Sequence, residues 1–335
     1  MKKTLICVAL LLLFAFSGRS AGGPPEVQPL SIMFWNLENF FDWIDGGSGE
    51  SDSEFSSQGR RHWTFRRFLK KCNAIAKTVF LAASGSGRLP DILCFAEVEN
   101  RRVLQMLLRR TLLDKCGYGI VHYDSPDSRG IDVALLYRKE VLEVLSSRQV
   151  KLYPKHGGEA LKTRAILLVE LAFGKGDGKI FVAVNHHPSK YGGESGMWKR
   201  ELALGRLGAI RDSLAMEGDS LFVACGDFNE EASKPFYASF AAERKLCHPG
   251  ADLAASKEGS IRFDGKWELI DFFFFDHSLE AQMKVLHLPE LLTRDNVHAG
   301  EKPFRTYSGP RYIGGVSDHL PIILNIKNLR KYSKS

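Results

Sequence analysis

The amino-acid sequence predicts an α/β fold. Short apolar runs rich in Val, Ile, Leu and Phe recur along its length, and longer stretches with apolar residues three and four apart lie between some of them. With 335 residues, 44% apolar and 25% charged, the chain has an ordinary globular composition and the length to bury a large core, so disorder is not the default.

The strand-like runs fall at residues 31–35, 92–96, 132–137, 165–173, 179–184, 221–225, 269–275 and 321–326. Helical spacing marks residues 64–83, 101–115 and 196–216. Glycine- and serine-rich pieces at 46–57, 84–87, 174–178 and 191–196 are short enough to be surface loops. No internal repeat or linker divides the chain, so one domain over residues 29–330 is the simplest organisation. The acidic stretch at 42–54 reads either as a solvated loop or as a lid near a site.

Met1-Lys2-Lys3, an apolar run over residues 5–16 and small residues from Ser17 to Gly22 have the order of a secretory signal over residues 1–22. A retained N-terminal anchor is the alternative. That run is too short to span a bilayer comfortably, and no later stretch approaches the needed length. Export predicts a periplasmic or secreted protein. Lys2, Lys3 and Arg19 lie in the signal, so the remainder carries +4 rather than +7. A weakly basic balance permits a polyanionic partner without demonstrating one. Cys7 sits in the apolar run; of the other five, Cys94 and Cys225 fall in strand-like runs and read as small buried hydrophobes. No CxxC spacing marks a metal knuckle, and no disulfide is expected.

Polar clusters share one placement, at or just past the end of an apolar run, where rigid strand ends let side chains converge. Phe34-Trp35-Asn36-Leu37-Glu38-Asn39 alternates polar and apolar residues, and Asn36 alone could be a turn or cap residue. Glu97 follows the run Ile92-Leu93-Cys94-Phe95, where a carboxylate needs either a salt-bridge partner or a metal. His186 and His187 close another run and suit proton transfer near neutral pH. In Gly226-Asp227-Phe228-Asn229, Asp227 and Asn229 share one side of an extended segment, where carboxylate and amide can orient a water and hold a phosphate oxygen. Asp271, set among apolar residues, calls for a partner such as an imidazole. Gly314-Gly315-Val316-Ser317-Asp318-His319 places a hard oxygen donor beside a proton-transfer group.

In this order, Asn36, Glu97, His186, Asp227 with Asn229, Asp271, and Asp318 with His319 resemble the endonuclease/exonuclease/phosphatase superfamily over nearly the whole chain. The strings Trp35-Asn36-Leu37-Glu38-Asn39, Ala96-Glu97-Val98-Glu99-Asn100, Gly130-Ile131-Asp132-Val133-Ala134 and Arg305-Thr306-Tyr307 resemble an exported bacterial branch described as endonuclease-like. The resemblance implies a four-layer α/β/β/α sandwich of two packed mixed β-sheets with outer helices.

It further implies Mg²⁺, with Mn²⁺ as a substitute, held principally by Glu97 with Asn36, Glu38 and Asp318. Asp227 and Asn229 would position the nucleophilic water and the scissile phosphate. His319, held by Asp271, would contact the phosphate and act as acid or base. His186 rather than His187 matches the other family histidine, Arg164 matches a basic residue facing the phosphate, and Asp132 is the candidate for orienting His186.

The expected function is a Mg²⁺-dependent phosphodiester hydrolase, an exported monomeric endonuclease cleaving DNA or RNA, with Arg60, Arg61, Arg66, Arg67 and Lys190 as candidate backbone contacts. A phospholipid or sugar-phosphate phosphodiesterase or phosphatase is the alternative, because fold does not set substrate. A catalytically silent binding protein on the same fold is the reading from another class.

Overall fold

The computed structural model describes residues 29–327 and 329, apart from 85–86, 155–156, 175–177, 191–195 and 219–220. The expected signal over residues 1–22, with Cys7, lies outside the described residues, as do parts of the loops at 84–87, 174–178 and 191–196.

Two six-stranded mixed sheets form the body. In the first, strands β1 (Leu30–Phe40), β2 (Ile92–Val98), β3 (Tyr118–His122) and β4 (Asp132–Arg138) join Ala281–Val285 and Ile322–Ile326. Across this sheet the order is Ala281–Val285, Ile322–Ile326, β1, β2, β4, β3. The second has the order β5 (Leu142–Val150), β6 (Ile166–Phe173), β7 (Gly178–His186), β8 (Leu221–Asp227), Asp271–Asp276, Leu246–Cys247. Each sheet has one parallel pair, β1 with β2 and β7 with β8; the other pairings are antiparallel.

Period-two side chains put the two sheets back to back. Ile32, Phe34, Cys94 and Ala96 of the first share a core with Val182, Val184, Val223 and Cys225 of the second. On the far side of the first sheet, Met33, Trp35, Leu93 and Phe95 pack in a second core that takes in residues of helices α1 (Phe65–Ala83) and α2 (Arg101–Arg109). Helix α1 starts where the Thr64 side chain caps the Arg67 N–H, and it buries Phe68, Cys72, Ile75 and Val79, the three-and-four spacing that marked it in sequence. Helix α3 (Met197–Glu217) lays Ala203, Leu207, Ile210 and Leu214 on the core of the second sheet. The result is the expected four-layer sandwich.

Departures have local causes. The helix expected over 101–115 breaks after Arg109, because Thr111 turns its hydroxyl to the Leu113 N–H and starts a separate 3₁₀ turn, Leu112–Cys116, which Gly117 ends at φ 67°. Strand β5 was not expected: Ser146, Ser147, Arg148 and Gln149 are polar because it is an edge strand with a largely solvated face. Strand β1 runs to Phe40, beyond its apolar stretch, since Asn36 and Glu38 are buried by partners at the site. The acidic segment is a largely exposed loop pinned at a few points. Asp42 and Asp52 are buried, Asp42 pairs with Arg102 at 3.0 Å, and Glu50 N–H donates to Ser128 C=O at 2.8 Å. All five described cysteines are free thiols. Among the described residues, no helix is long and apolar enough to cross a membrane.

Candidate active site

The C-terminal ends of the two parallel pairs meet across the sandwich. Asn36 near the end of β1 donates its Nδ2 to Oδ2 of Asp227 at the end of β8, 3.0 Å away. His186, in register with Asp227 on the neighbouring strand, brings its Nε2 to 3.5 Å from the same oxygen. Asp271 faces Asp227 in register from the other side, and its Oδ2 lies 2.7 Å from His319 Nδ1, leaving His319 Nε2 3.9 Å from Asp227 Oδ2. One nitrogen of His319 and one oxygen each of Asp227 and Asp271 lie within 4.8 Å of one another. Residues up to 283 positions apart in sequence thus share one oxygen.

The backbone bends hard to do this. Glu38, Asn39, Glu97 and Asn229 have φ of 48°, 52°, 58° and 53°. Each such residue costs on the order of 1–3 kcal/mol and persists only where its surroundings demand it. At Glu97 the turn interrupts the ladder between β2 and β4, and at Asn229 the backbone N–H reaches back to Asp227 Oδ1 at 2.9 Å.

Burial and neighbours set the charges. Asp227 is pushed up to about 7 by burial and by nearby Asp271. Burial would lower His319, but the carboxylates of Asp271, Asp227 and Asp318 outweigh it and hold the imidazole well above its ordinary value. Burial, then Arg164, drives His186 well below its ordinary value and keeps it neutral. Burial raises Glu97, yet Arg129, the Asn39 N–H and His319 together keep it below its ordinary value and ionised.

Three expected roles change. Asp132 does not orient His186: its Oδ1 accepts from the Ser125 N–H and hydroxyl at 2.8 and 2.5 Å, and its Oδ2 lies 3.2 Å from His122. His186 Nδ1 has no hydrogen-bond partner among the described residues. Arg164 is a brace rather than a phosphate contact, buried with one arm on Asp127 at 3.1 Å and the other on His187 C=O at 2.7 Å. Glu38 is not placed to ligate a metal, because its oxygens take the Thr306 N–H at 2.7 Å and the Arg305 guanidinium at 3.2 Å. Burial and Asp318 push it up to about 7.

His187 is buried against Phe228, with ring centroids 4.8 Å apart, and its carbonyl accepts from both Arg164 and Asn229. The remaining expected ligands, Asn36 Oδ1, Glu97 and Asp318, are oxygen donors of the kind a hard divalent cation takes. Asp318 is half-buried and bonds Arg305 at 3.0 Å.

Sequence reasoning missed the cations that serve these carboxylates. Arg129 reaches Glu97 at 3.4 Å and Asn39 Oδ1 at 2.7 Å, and Arg305 bridges Glu38 and Asp318. Lys71, buried in α1, donates to Glu38 C=O at 2.6 Å and to Thr306 Oγ1 at 3.0 Å, with burial lowering it to about 8. A lysine inside the apolar stripe of a helix was the available signal for Lys71. Arg129 and Arg305 adjoin strings already noted, yet nothing in the sequence aimed them at a partner.

The sequence profile of the endonuclease/exonuclease/phosphatase family matches residues 31–328. The chain belongs to this family. Among solved structures, a Bacteroides thetaiotaomicron protein of the endonuclease/exonuclease/phosphatase family superposes with a TM-score of 0.59 at 16% identity, over 91% of this chain and 100% of that one. A mannosyl-6-phosphatase of the same organism gives 0.58 at 16% identity, over 89% and 99%. TDP2 of D. rerio, in complex with a single-strand DNA product, gives 0.55 at 14% identity, over 89% and 98%. At such identities the likeness establishes the fold. No curated protein compared with the chain matches it. The activities in the family's name are all phosphoester hydrolyses, and the Asp–His cluster in this member could hold a divalent ion.

Proposed function

We propose that this chain is a Mg²⁺-dependent phosphodiester hydrolase, exported to the periplasm or secreted, that cleaves DNA or RNA. The observation that carries the reading is the convergence of Asn36, His186 and the Asp271–His319 pair on one oxygen of buried Asp227. A carboxylate pushed to about 7 is matched to taking a proton from an attacking water near neutral pH. Asn229, tied to Asp227 through its backbone and to His187 through one amide hydrogen, keeps its other amide hydrogen for a phosphate oxygen. His319, its charge sustained by Asp271, donates from Nε2 to the phosphoryl group, and neutral His186 can donate beside it. Glu97, with Asn36 and Asp318, would hold the Mg²⁺, which would neutralise charge at the phosphoryl oxygens.

A basic and aromatic strip beside Arg305 supports a nucleic-acid substrate. Arg61, paired with Glu54 at 2.8 Å, lies 5.1 Å over the buried Tyr307 ring and Arg67 lies 4.3 Å over Tyr312, so the aromatic rings hold the guanidiniums in a row that suits a sugar-phosphate backbone. Lys190 contributes less, since Glu230 and Glu268 both pair with it. A phosphatase acting on a small sugar phosphate is the second reading, favoured by the part-exposed guanidiniums of Arg129 and Arg305, which could grip a terminal dianion.

The test is to incubate the purified protein with plasmid DNA, RNA, sphingomyelin, a sugar phosphate and bis-p-nitrophenyl phosphate, with Mg²⁺ or with EDTA. Metal-dependent nicking that falls about 10³-fold in His319→Ala is the expected result. Turnover of only the lipid or small esters would sink the nuclease, and inertness with both Mg²⁺ and Mn²⁺ would leave a binding protein.

A further inference from the structure

We infer that His122, Asp124 and Asp132 form a second cation site, separate from the catalytic centre and selective for a borderline ion such as Zn²⁺, that pins the loop carrying Arg129. One nitrogen of His122 and one oxygen from each aspartate lie within 4.8 Å of one another. His122 ends β3 and pairs in register with Ala134 of β4, so Asp132, two residues earlier on β4, shares its face of the sheet.

Independent features point to an ion rather than to a settled histidine–aspartate pair. The His122 side chain is 2% exposed, and its Nε2 has no hydrogen-bond partner among the described residues although Asp132 Oδ2 is 3.2 Å away. Close approach without hydrogen-bond alignment is what two ligands of one ion show: donors about 2.0–2.1 Å from a tetrahedral Zn²⁺ lie roughly 3.3 Å apart. Asp132 is also oriented as a ligand is. Its Oδ1 is occupied by the Ser125 N–H and hydroxyl, which leaves Oδ2 toward His122. Asp124 Oδ1 lies 3.9 Å from His122 Nδ1, the other ring nitrogen, on a side chain 86% exposed, and a swing toward the Nε2 side would close the site.

Position rather than donor type separates this site from the catalytic one: Asp227, Asp271 and His319 offer the same imidazole and two carboxylates, whereas Asn36, Glu97 and Asp318 offer oxygen alone and suit Mg²⁺. The position gives an ion here a purpose. His122 and Asp132 bracket residues 123–131, which carry Asp127 to Arg164 at 3.1 Å and Arg129 to Glu97 at 3.4 Å. An ion across the base of this loop would restrict it and keep both contacts made.

The experiment titrates Zn²⁺ and Co²⁺ into chelator-treated protein, with Glu97→Gln and His319→Ala together as background to silence the catalytic donors. Expected are one bound Zn²⁺, visible Co²⁺ bands of tetrahedral character, and slower tryptic cleavage after Arg129 when the ion is present. Asp124→Asn, at an exposed position that folding does not depend on, should weaken binding at least tenfold and abolish the protection; His122→Ala should remove both. Equal Zn²⁺ affinity with and without Asp124→Asn, or no Zn²⁺ bound in the Glu97→Gln, His319→Ala background, would overturn the assignment. Neither outcome bears on phosphodiester hydrolysis, which is read separately with Mg²⁺.

Discussion

Parallel strands β1 and β2, joined through α1, deliver Asn36, Glu38 and Glu97 to the site, while β7 and β8, joined through α3, deliver His186 and Asp227. The halves share an architecture and differ in how their carboxylates are compensated. Guanidiniums from distant loops serve the first half, Arg129 at Glu97 and Arg305 at Glu38 and Asp318. Imidazole and amide groups serve the second, His186, His319 and Asn36 around Asp227. Guanidiniums stay charged across the working pH range, so Arg129 helps to keep Glu97 ionised and suited to holding a cation, while burial and Asp318 still raise Glu38. Burial and Asp271 push Asp227 up to about 7 while Asp271 sustains the charge on His319, so the second half can take up and give a proton. One scaffold thereby separates charge storage from proton transfer.

The difference can be broken at Glu99, two residues past Glu97. Its carboxyl is pushed up to about 7 by burial, with Asp42 and Asp52 adding repulsion, and it accepts only from the Asp42 N–H and the Ser48 hydroxyl. A folded-state value above the ordinary 4.5 means the protonated form stabilises the fold: the contribution is complete below about 4.5 and is lost as pH rises through about 7. Urea unfolding should therefore show stability falling between about pH 4.5 and 7 and levelling off above. Glu99→Gln should make that slope shallower by about one proton and recover up to about 3 kcal/mol at pH 8. An unchanged slope would mean that the guanidinium of Arg102 reaches this group as well.

A smaller effect is expected in the second half. Asp271→Asn removes the carboxylate that keeps His319 charged, so the imidazole titrates lower and the alkaline limb of the kcat/KM profile should move to lower pH. At the optimum the loss should be about a hundredfold, near 2.7 kcal/mol. A hundredfold loss with the limb unmoved would make Asp271 an orienting group only.

Arg129→Ala tests the first half and should have the smallest effect, about tenfold or 1.4 kcal/mol in kcat/KM. The Mg²⁺ requirement should persist, because Glu97 keeps its Asn39 N–H bond at 2.7 Å. A loss as large as that of His319→Ala would place Arg129 on the reacting phosphate.

Much of the site was legible before folding because its residues terminate apolar runs, and a strand end is a local property. Asn36, Glu97, His186, Asp227, Asp271 and His319 could be picked out that way; all but Glu97 meet around Asp227, and Glu97 lies near enough for the charge of His319 to act on it. The assignments that changed depended on partners far away in sequence. Glu38 is claimed by Thr306 across 268 positions, Arg164 by Asp127 and the His187 carbonyl, and Asp132 stands by His122 instead of His186.

The sequence by itself determined the α/β class, the main strands and the residue types at their ends, since periodicity and composition are written locally. Tertiary structure alone decided which cation compensates each carboxylate, which side chains are spent as braces, and how far burial moves each proton affinity. Those outcomes turn on ångström distances between segments hundreds of residues apart and on the water that packing removes, and neither quantity exists until the two sheets close on each other.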